Sequence, residues 1–433
     1  MQATGVVQNQ EVICKAALRS VHNGGRRFKL WVALLALPVL WGFVAWLYQV
    51  TNGLGVTALS NQYFWGLYET NFVTFIGLSY GGALVSAILR LTGARWRAPI
   101  TRLAEAMALI TLMIGGAFAI IHLGHPERVW QFFVTPQLSS PIIWDFVALN
   151  TYLAATVIFL YLPMIPDLAA AASTLPNGWR RRIYLFLARG WQGRPDQERL
   201  LERATMGISI LIIPVAITVH SVLAWTFSLH NRAGWHSSIY GPYFVVGALF
   251  SGVALVILVV AAFRRAYRLE EYIGKKQFEY LGYLMTALAV LYLYFTFTDL
   301  LAESYIITTH GTQLLEFLLV TRYAPLFWAF LVLGIFVPIL TVAWPRTRTV
   351  PGIVFSAALV VLTMWLKRFL IVVPSLAVPL VEHTPSTQSY VPSWVEASIS
   401  LAALAAIPLL LILFFRVFPV LSIKELEEAA EAH

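Results

Sequence analysis

Cysteine is almost missing: Cys14 stands alone in 433 residues. A single thiol excludes a disulfide framework within the chain, a CxxCH haem attachment and a cysteine-held iron–sulfur cluster. Charge is scarce too. It makes up 12% of the residues, where a soluble domain carries about 25%, and that excludes an ordinary soluble enzyme. Disorder is excluded by an excess, because 15 Trp, 18 Tyr and 27 Phe give the chain ample apolar surface to bury. What the chain does have is hydrophobicity: 59% of residues are apolar and the mean hydropathy is +0.73. The expectation is an all-α polytopic membrane protein. The net charge of +9 invites a nucleic-acid reading, but the placement of the basic residues makes it a topology signal, and no nucleic-acid partner is expected.

Ten apolar stretches are predicted to span a membrane: 28–50, 68–91, 102–122, 141–165, 204–228, 238–263, 278–303, 324–344, 350–373 and 394–418. Each can cross about 30 Å at about 1.5 Å per residue. The first follows Arg26 and Arg27 and is too long for a signal-peptide core, so a retained helix is expected. Of the 30 Lys and Arg, 25 fall in the two tails and alternate connections, three (Arg128, Arg232, Arg322) on the other side, and Lys367 and Arg368 inside a span. This asymmetry places both termini and the 166–203 loop in the cytoplasm of a bacterial inner membrane. The acidic tail KELEEAAEAH reads as a solvated helix end.

An internal duplication is visible. Ser140-Pro-Ile-Ile-Trp-Asp-Phe146 opens the fourth span and Ala324-Pro-Leu-Phe-Trp-Ala-Phe330 the eighth, and Asn71-Phe-Val resembles Tyr243-Phe-Val. Two four-helix bundles in the same membrane sense are expected, spans 2–5 and 6–9, with two peripheral helices. The corresponding units are 1–60 (tail and first helix), 61–235 and 236–376 (the bundles), and 377–433 (last helix and tail). Asp145 has Ala329 as its twin. Intramembrane carboxylates are costly, so the first bundle is where a site is sought.

Most ionisable groups in the spans fall in the outer half: Glu69, His122, Asp145, His220, Asp299 and Glu303, with Lys367 and Arg368. His220 is placed roughly 12 Å deep. Glu105 alone lies toward the cytoplasmic end. Histidine exchanges protons near neutral pH and a buried carboxylate can pass them on. The set therefore suggests a quinol pocket, a proton route, or both, with Asp145 and His220 at the quinol head. A structural ion pair of Lys367 and Arg368 with Asp299 and Glu303 is the competing reading, as is His220 hydrogen-bonded to a neighbouring carbonyl or a hydroxyl such as that of Ser221. The loops HLGHPERVW and GWHSSIYGPY put His125, Arg128, Trp130, Trp235 and His236 on the outer face as a docking platform, or as plain interfacial anchors.

HLGHPERVW, SPIIWD and GWHSSIYGPYFVVGALFSG resemble the NrfD/PsrC family of quinone-interacting membrane subunits, from about residue 60 onward. Within it they are similar to the membrane subunits of alternative complex III. YFTFTDLLAESY, RFLIVVPSL and PSWVEASI make the chain more ActF-like than ActC-like. The resemblance implies a quinol or menaquinol partner and a redox-linked complex. It also implies a periplasmic iron–sulfur, molybdopterin-like subunit, multihaem c-type cytochromes, a second NrfD-like membrane subunit and lipids as neighbours. No haem, iron–sulfur cluster or metal is expected in the chain itself. A haem b anchor using His122 and His220, a secondary transporter, and a structural scaffold of the same complex are the alternatives.

Overall fold

The computed structural model describes residues 12–22, 25–306, 308–381 and 389–431. Residues 1–11 of the expected cytoplasmic tail and Ala432 and His433 of the acidic tail lie outside them. Ten helices are long and apolar enough to cross a membrane: α1 (Arg26–Asn52), α2 (Leu67–Leu91), α3 (Thr101–His122), α4 (Pro141–Tyr161), α5 (Pro195–Ser228), α6 (Tyr240–Tyr267), α7 (Lys275–Ile306), α8 (Ala324–Ala343), α9 (Val350–Ala377) and α10 (Trp394–Val417). They coincide with the ten predicted spans. The chief difference is α5, which begins nine residues before the expected start because Pro195 opens a polar helical turn that runs on into the span. No strand occurs among the described residues. The chain is an integral membrane protein.

Burial sorts the helices. α2 and α6 are covered nearly all round and α1 hardly at all, as expected of helices that are apolar on every face and either central or lipid-facing. α2 packs on α3, α5 and α6. α4 packs on α5, and α6 on α7 and α9. α8 packs on α9, while α1 pairs with α10. The α2–α6 crossing is made by glycine: a Cβ on Gly81 would lie 2.3 Å from the Cα of Gly252. Small residues let membrane helices approach to backbone contact where no solvent drives them together.

Connections alternate between two ends. One carries the predicted outer loops and is termed the histidine-bearing end; the other is the arginine-rich end. At the latter the acidic tail departs from its expected solvated state. It forms a helix, Ile423–Glu431, that folds back onto the bundle, with Glu425 only 8% exposed. Glu425 pairs with Arg90 (2.7 Å) and Arg97 (2.6 Å) and accepts from the Thr101 hydroxyl (2.9 Å). Burial alone would raise its pKa, but the two guanidiniums bring it down to about 2. Arg90 also holds Glu105 at 3.0 Å, and Ser86 donates to the same oxygen. Arg102 pairs with Asp167 at 2.8 Å, and the Lys424 backbone N–H donates to Asp167 as well. The tail is buried because the basic residues of the α2–α3 connection need counter-charges, and because Val420, Leu421, Ile423 and Leu426 bury apolar surface alongside. The helical 12–22 segment joins this cap, Val420 N–H donating to the Ala17 carbonyl.

Candidate functional site

Two glycines shape the loops at the histidine-bearing end. Gly124 (φ +69°) in HLGHP and Gly234 (φ +76°) in GWHS both take the left-handed conformation that a side chain disfavours. The first turn leaves His122 on the last turn of α3. The second swings Trp235 inward.

Helices α2, α3, α4 and α5 contribute to one cluster. Glu69, on the first turn of α2, is buried. His122 from α3 donates through Nε2 to the Phe64 carbonyl (3.1 Å), which leaves Nδ1 facing Glu69 at 3.8 Å. That gap is too long for a hydrogen bond. Asp145 from α4 is half-buried and is the acidic neighbour whose charge Glu69 feels. It accepts from the Thr226 hydroxyl of α5 at 3.0 Å. His230 donates through Nδ1 to the Thr226 carbonyl (2.9 Å) and packs against Phe64 and Trp65. Glu69, His122 and Asp145 were expected here. Thr226 and His230 were not: a hydroxyl residue in an apolar run carries no signal, and His230 lies just past the end of α5.

His220 is elsewhere. It lies deeper in α5, 1% exposed, against the Tyr80 ring (4.5 Å), and Ser221 is not its partner. With Tyr243, Tyr292, Gly247 and Arg368 it lines a cavity with about 20 Å³ of room for the centre of a water-sized guest. Asp145 does not line it. His122 and His220 occupy separate surroundings rather than facing one another across a haem. Among the described residues no group of three His, Cys, Asp or Glu could hold a metal ion.

The expected ion pairs between α9 and α7 do not form. Lys367 lies over the rings of Tyr243 (5.6 Å) and Phe330 (5.9 Å) with Asp299 as its charged neighbour, while Arg368 turns away and donates to Ser251 of α6 at 2.8 Å. No contact within 4 Å joins either cation to Asp299 or Glu303 among the described residues. Successive helix positions are about 100° apart, so adjacent residues cannot share one partner face. Asp299 and Glu303 are half-buried on α7, beside Ser237 and the Gly234–His236 loop. Glu105 belongs to the opposite end, in the ion network described above.

The docking platform is partly dismantled. Trp235 is 0% exposed and donates to the Ile371 carbonyl (2.8 Å) amid Trp65 and Phe227; it is a core residue and offers a partner nothing. His125, Arg128, Trp130 and His236 are exposed. His125 and Arg128 line an open cleft of about 500 Å³ with Gln131, Phe132, Ser140 and Ile143, beside the start of α4. Missed altogether was Glu396. It is fully buried and accepts from the Tyr390 hydroxyl (2.5 Å), the Ala58 N–H (2.8 Å) and the Ser393 N–H (3.0 Å). The Ser393-x-x-Glu396 spacing of a capping box was legible.

Residues 55–379 match the family described as polysulphide reductase, NrfD. A Halobacterium salinarum protein named as a membrane subunit of a dimethyl sulfoxide reductase is 34% identical over 230 residues, 53% of this chain and 50% of its own length. This chain thus aligns with about half of that relative. A selenate reductase subunit of Mesobacillus selenatarsenatis is 26% identical over 90% of this chain and 94% of its own. The Hdr-like menaquinol oxidoreductase integral membrane subunit of Archaeoglobus fulgidus is 24% identical, over 93% and 96%.

Proposed function

The chain belongs to the polysulphide reductase NrfD family of membrane proteins, and we propose that it is the integral membrane subunit of a quinol-linked oxidoreductase complex, supplying acid–base groups at the histidine-bearing end. The observation that carries this is the convergence of Glu69, His122 and Asp145 from three helices, with Thr226 and His230 behind them. Relatives named for a menaquinol oxidoreductase and for a selenate reductase support the class. A quinol delivers two electrons and two protons when it is oxidised. Asp145 is placed to take up such a proton, with Thr226 orienting its carboxylate. Glu69 and His122 extend the route inward, one proton serving two groups held 3.8 Å apart. By size, the cleft beside Ile143 is where a quinol head fits; Arg128 and His125 would then hold its oxygens.

In this reading the histidine-bearing end faces the periplasm and both termini the cytoplasm. Exposed His125, Arg128, Trp130 and His236 meet an iron–sulfur, molybdopterin-type subunit and multihaem cytochromes, with a second NrfD-like subunit alongside. The bundles 61–235 and 236–376 are a parallel duplication whose first copy kept Asp145. The ActF-like assignment within alternative complex III follows from the α7 and α9 motifs.

Two experiments test it. Affinity purification of the tagged chain from mild detergent is expected to bring down a large iron–sulfur protein and c-type haem; recovery of the chain alone overturns the assignment. For orientation, Cys14 is buried, so a membrane-impermeant maleimide added outside intact spheroplasts is expected to label Thr321→Cys, exposed before α8, and spare Arg189→Cys. The reverse pattern inverts the topology.

A further inference from the structure

We propose that the cavity between His220 and Arg368 is a binding site for a single water molecule that bridges α5 of one bundle to α9 of the other. The site stands on geometry alone, and only its use as a link in proton transfer rests on the function proposed above.

Two buried polar side chains lack partners there. Arg368 is 6% exposed; its Nη2 donates to Ser251, but Nη1 has no acceptor. The Ala216 carbonyl one turn back is within reach of one ring nitrogen of His220, and the other has no partner. The hydroxyl of Tyr80, whose ring packs on His220, is unpartnered too. Leaving such groups unmet in the interior is unfavourable, most of all for a charged one. The cavity's about 20 Å³ exceeds the roughly 10–15 Å³ one water needs.

The chemistry of the walls selects the guest. Arg368 Nη1 can only donate. A neutral imidazole carries one N–H and one accepting nitrogen, and the N–H belongs on the side of the Ala216 carbonyl, leaving the acceptor for the cavity. The guest must therefore accept one hydrogen bond and donate another. Water does both; a halide ion only accepts, and an acyl chain does neither. Gly247 keeps the space open, since a Cβ there would lie 2.8 Å from the Tyr292 ring and 3.4 Å from the Met364 methyl.

Maps of the purified complex at about 2 Å resolution test the proposal. The wild type is expected to show one peak at hydrogen-bond distance, about 2.7–3.2 Å, from both Arg368 Nη1 and a His220 ring nitrogen. Gly247→Ala is expected to lose it. Should that variant not assemble, His220→Leu removes the acceptor without adding bulk and is expected to lose the peak as well. An empty cavity in the wild type, a peak that grows when bromide replaces chloride, or a peak at full height in His220→Leu overturns the proposal. Proton release followed with a pH dye in the same samples tests the functional reading separately: a wild-type peak lost from a variant whose release is unchanged upholds the site and removes it from the route.

Discussion

Asp145→Asn is expected to lower quinol-driven electron transfer by the assembled complex roughly 100-fold, the low end of what a positioned acid–base group contributes. Asparagine keeps an oxygen to accept from Thr226, whose hydroxyl lies 3.0 Å from the native carboxylate, so the α4–α5 contact survives. What is lost is the exchangeable proton. The complex should therefore assemble with its full c-haem content while turnover collapses. Thr226→Val separates position from chemistry: it keeps the carboxylate but frees its orientation, and should shift the pH profile of turnover more than its maximum. Wild-type turnover in Asp145→Asn at full assembly would falsify the acid–base role.

The second large effect is expected at the other end. Arg102 and Asp167 are 1% and 0% exposed and 2.8 Å apart. Removing one partner of a buried pair strands the other, at a cost of about 3–5 kcal/mol. Arg102→Ala should therefore sharply lower the thermal unfolding temperature in detergent. Replacing both, as Arg102→Met with Asp167→Leu, should recover most of the loss, because two apolar side chains of similar size leave no buried charge. The pair lies far from Asp145, so turnover per assembled complex should change little in either case. A single replacement as mild as the double would mean that water already solvates Asp167.

The helices were legible because a bilayer imposes length and hydropathy on any span, and the sequence shows both in the open. The cluster was half legible. Glu69, His122 and Asp145 announce themselves, since ionisable groups are rare in apolar runs and their depth follows from topology. Thr226 and His230 do not, because their role depends on which neighbour they meet. Trp235 misled for a physical reason: a tryptophan next to a loop glycine looks like an interfacial anchor, and only the positive φ of Gly234 turns it into the core. The divergence of Lys367 from Arg368 could have been read from helical geometry alone. The tail could not, because the acidic run KELEEAAEAH is indistinguishable from a solvated end until Arg90 and Arg97 are known to wait beneath it.

That closure sets an order on biogenesis. Arg97 leaves the ribosome long before Glu425 does and waits for that counter-charge through most of synthesis and insertion, whereas Glu105 and Asp167 are already there for Arg90 and Arg102. Only the arrival of the Ile423–Glu431 helix neutralises Arg97 and completes the shell around Arg90 and Glu105. A prematurely released polypeptide would display a stranded cation beside an uncovered apolar surface, the kind of feature that membrane proteases and chaperones can act on. Docking of the Ile423–Glu431 helix is thus a late checkpoint on the folding of the arginine-rich end.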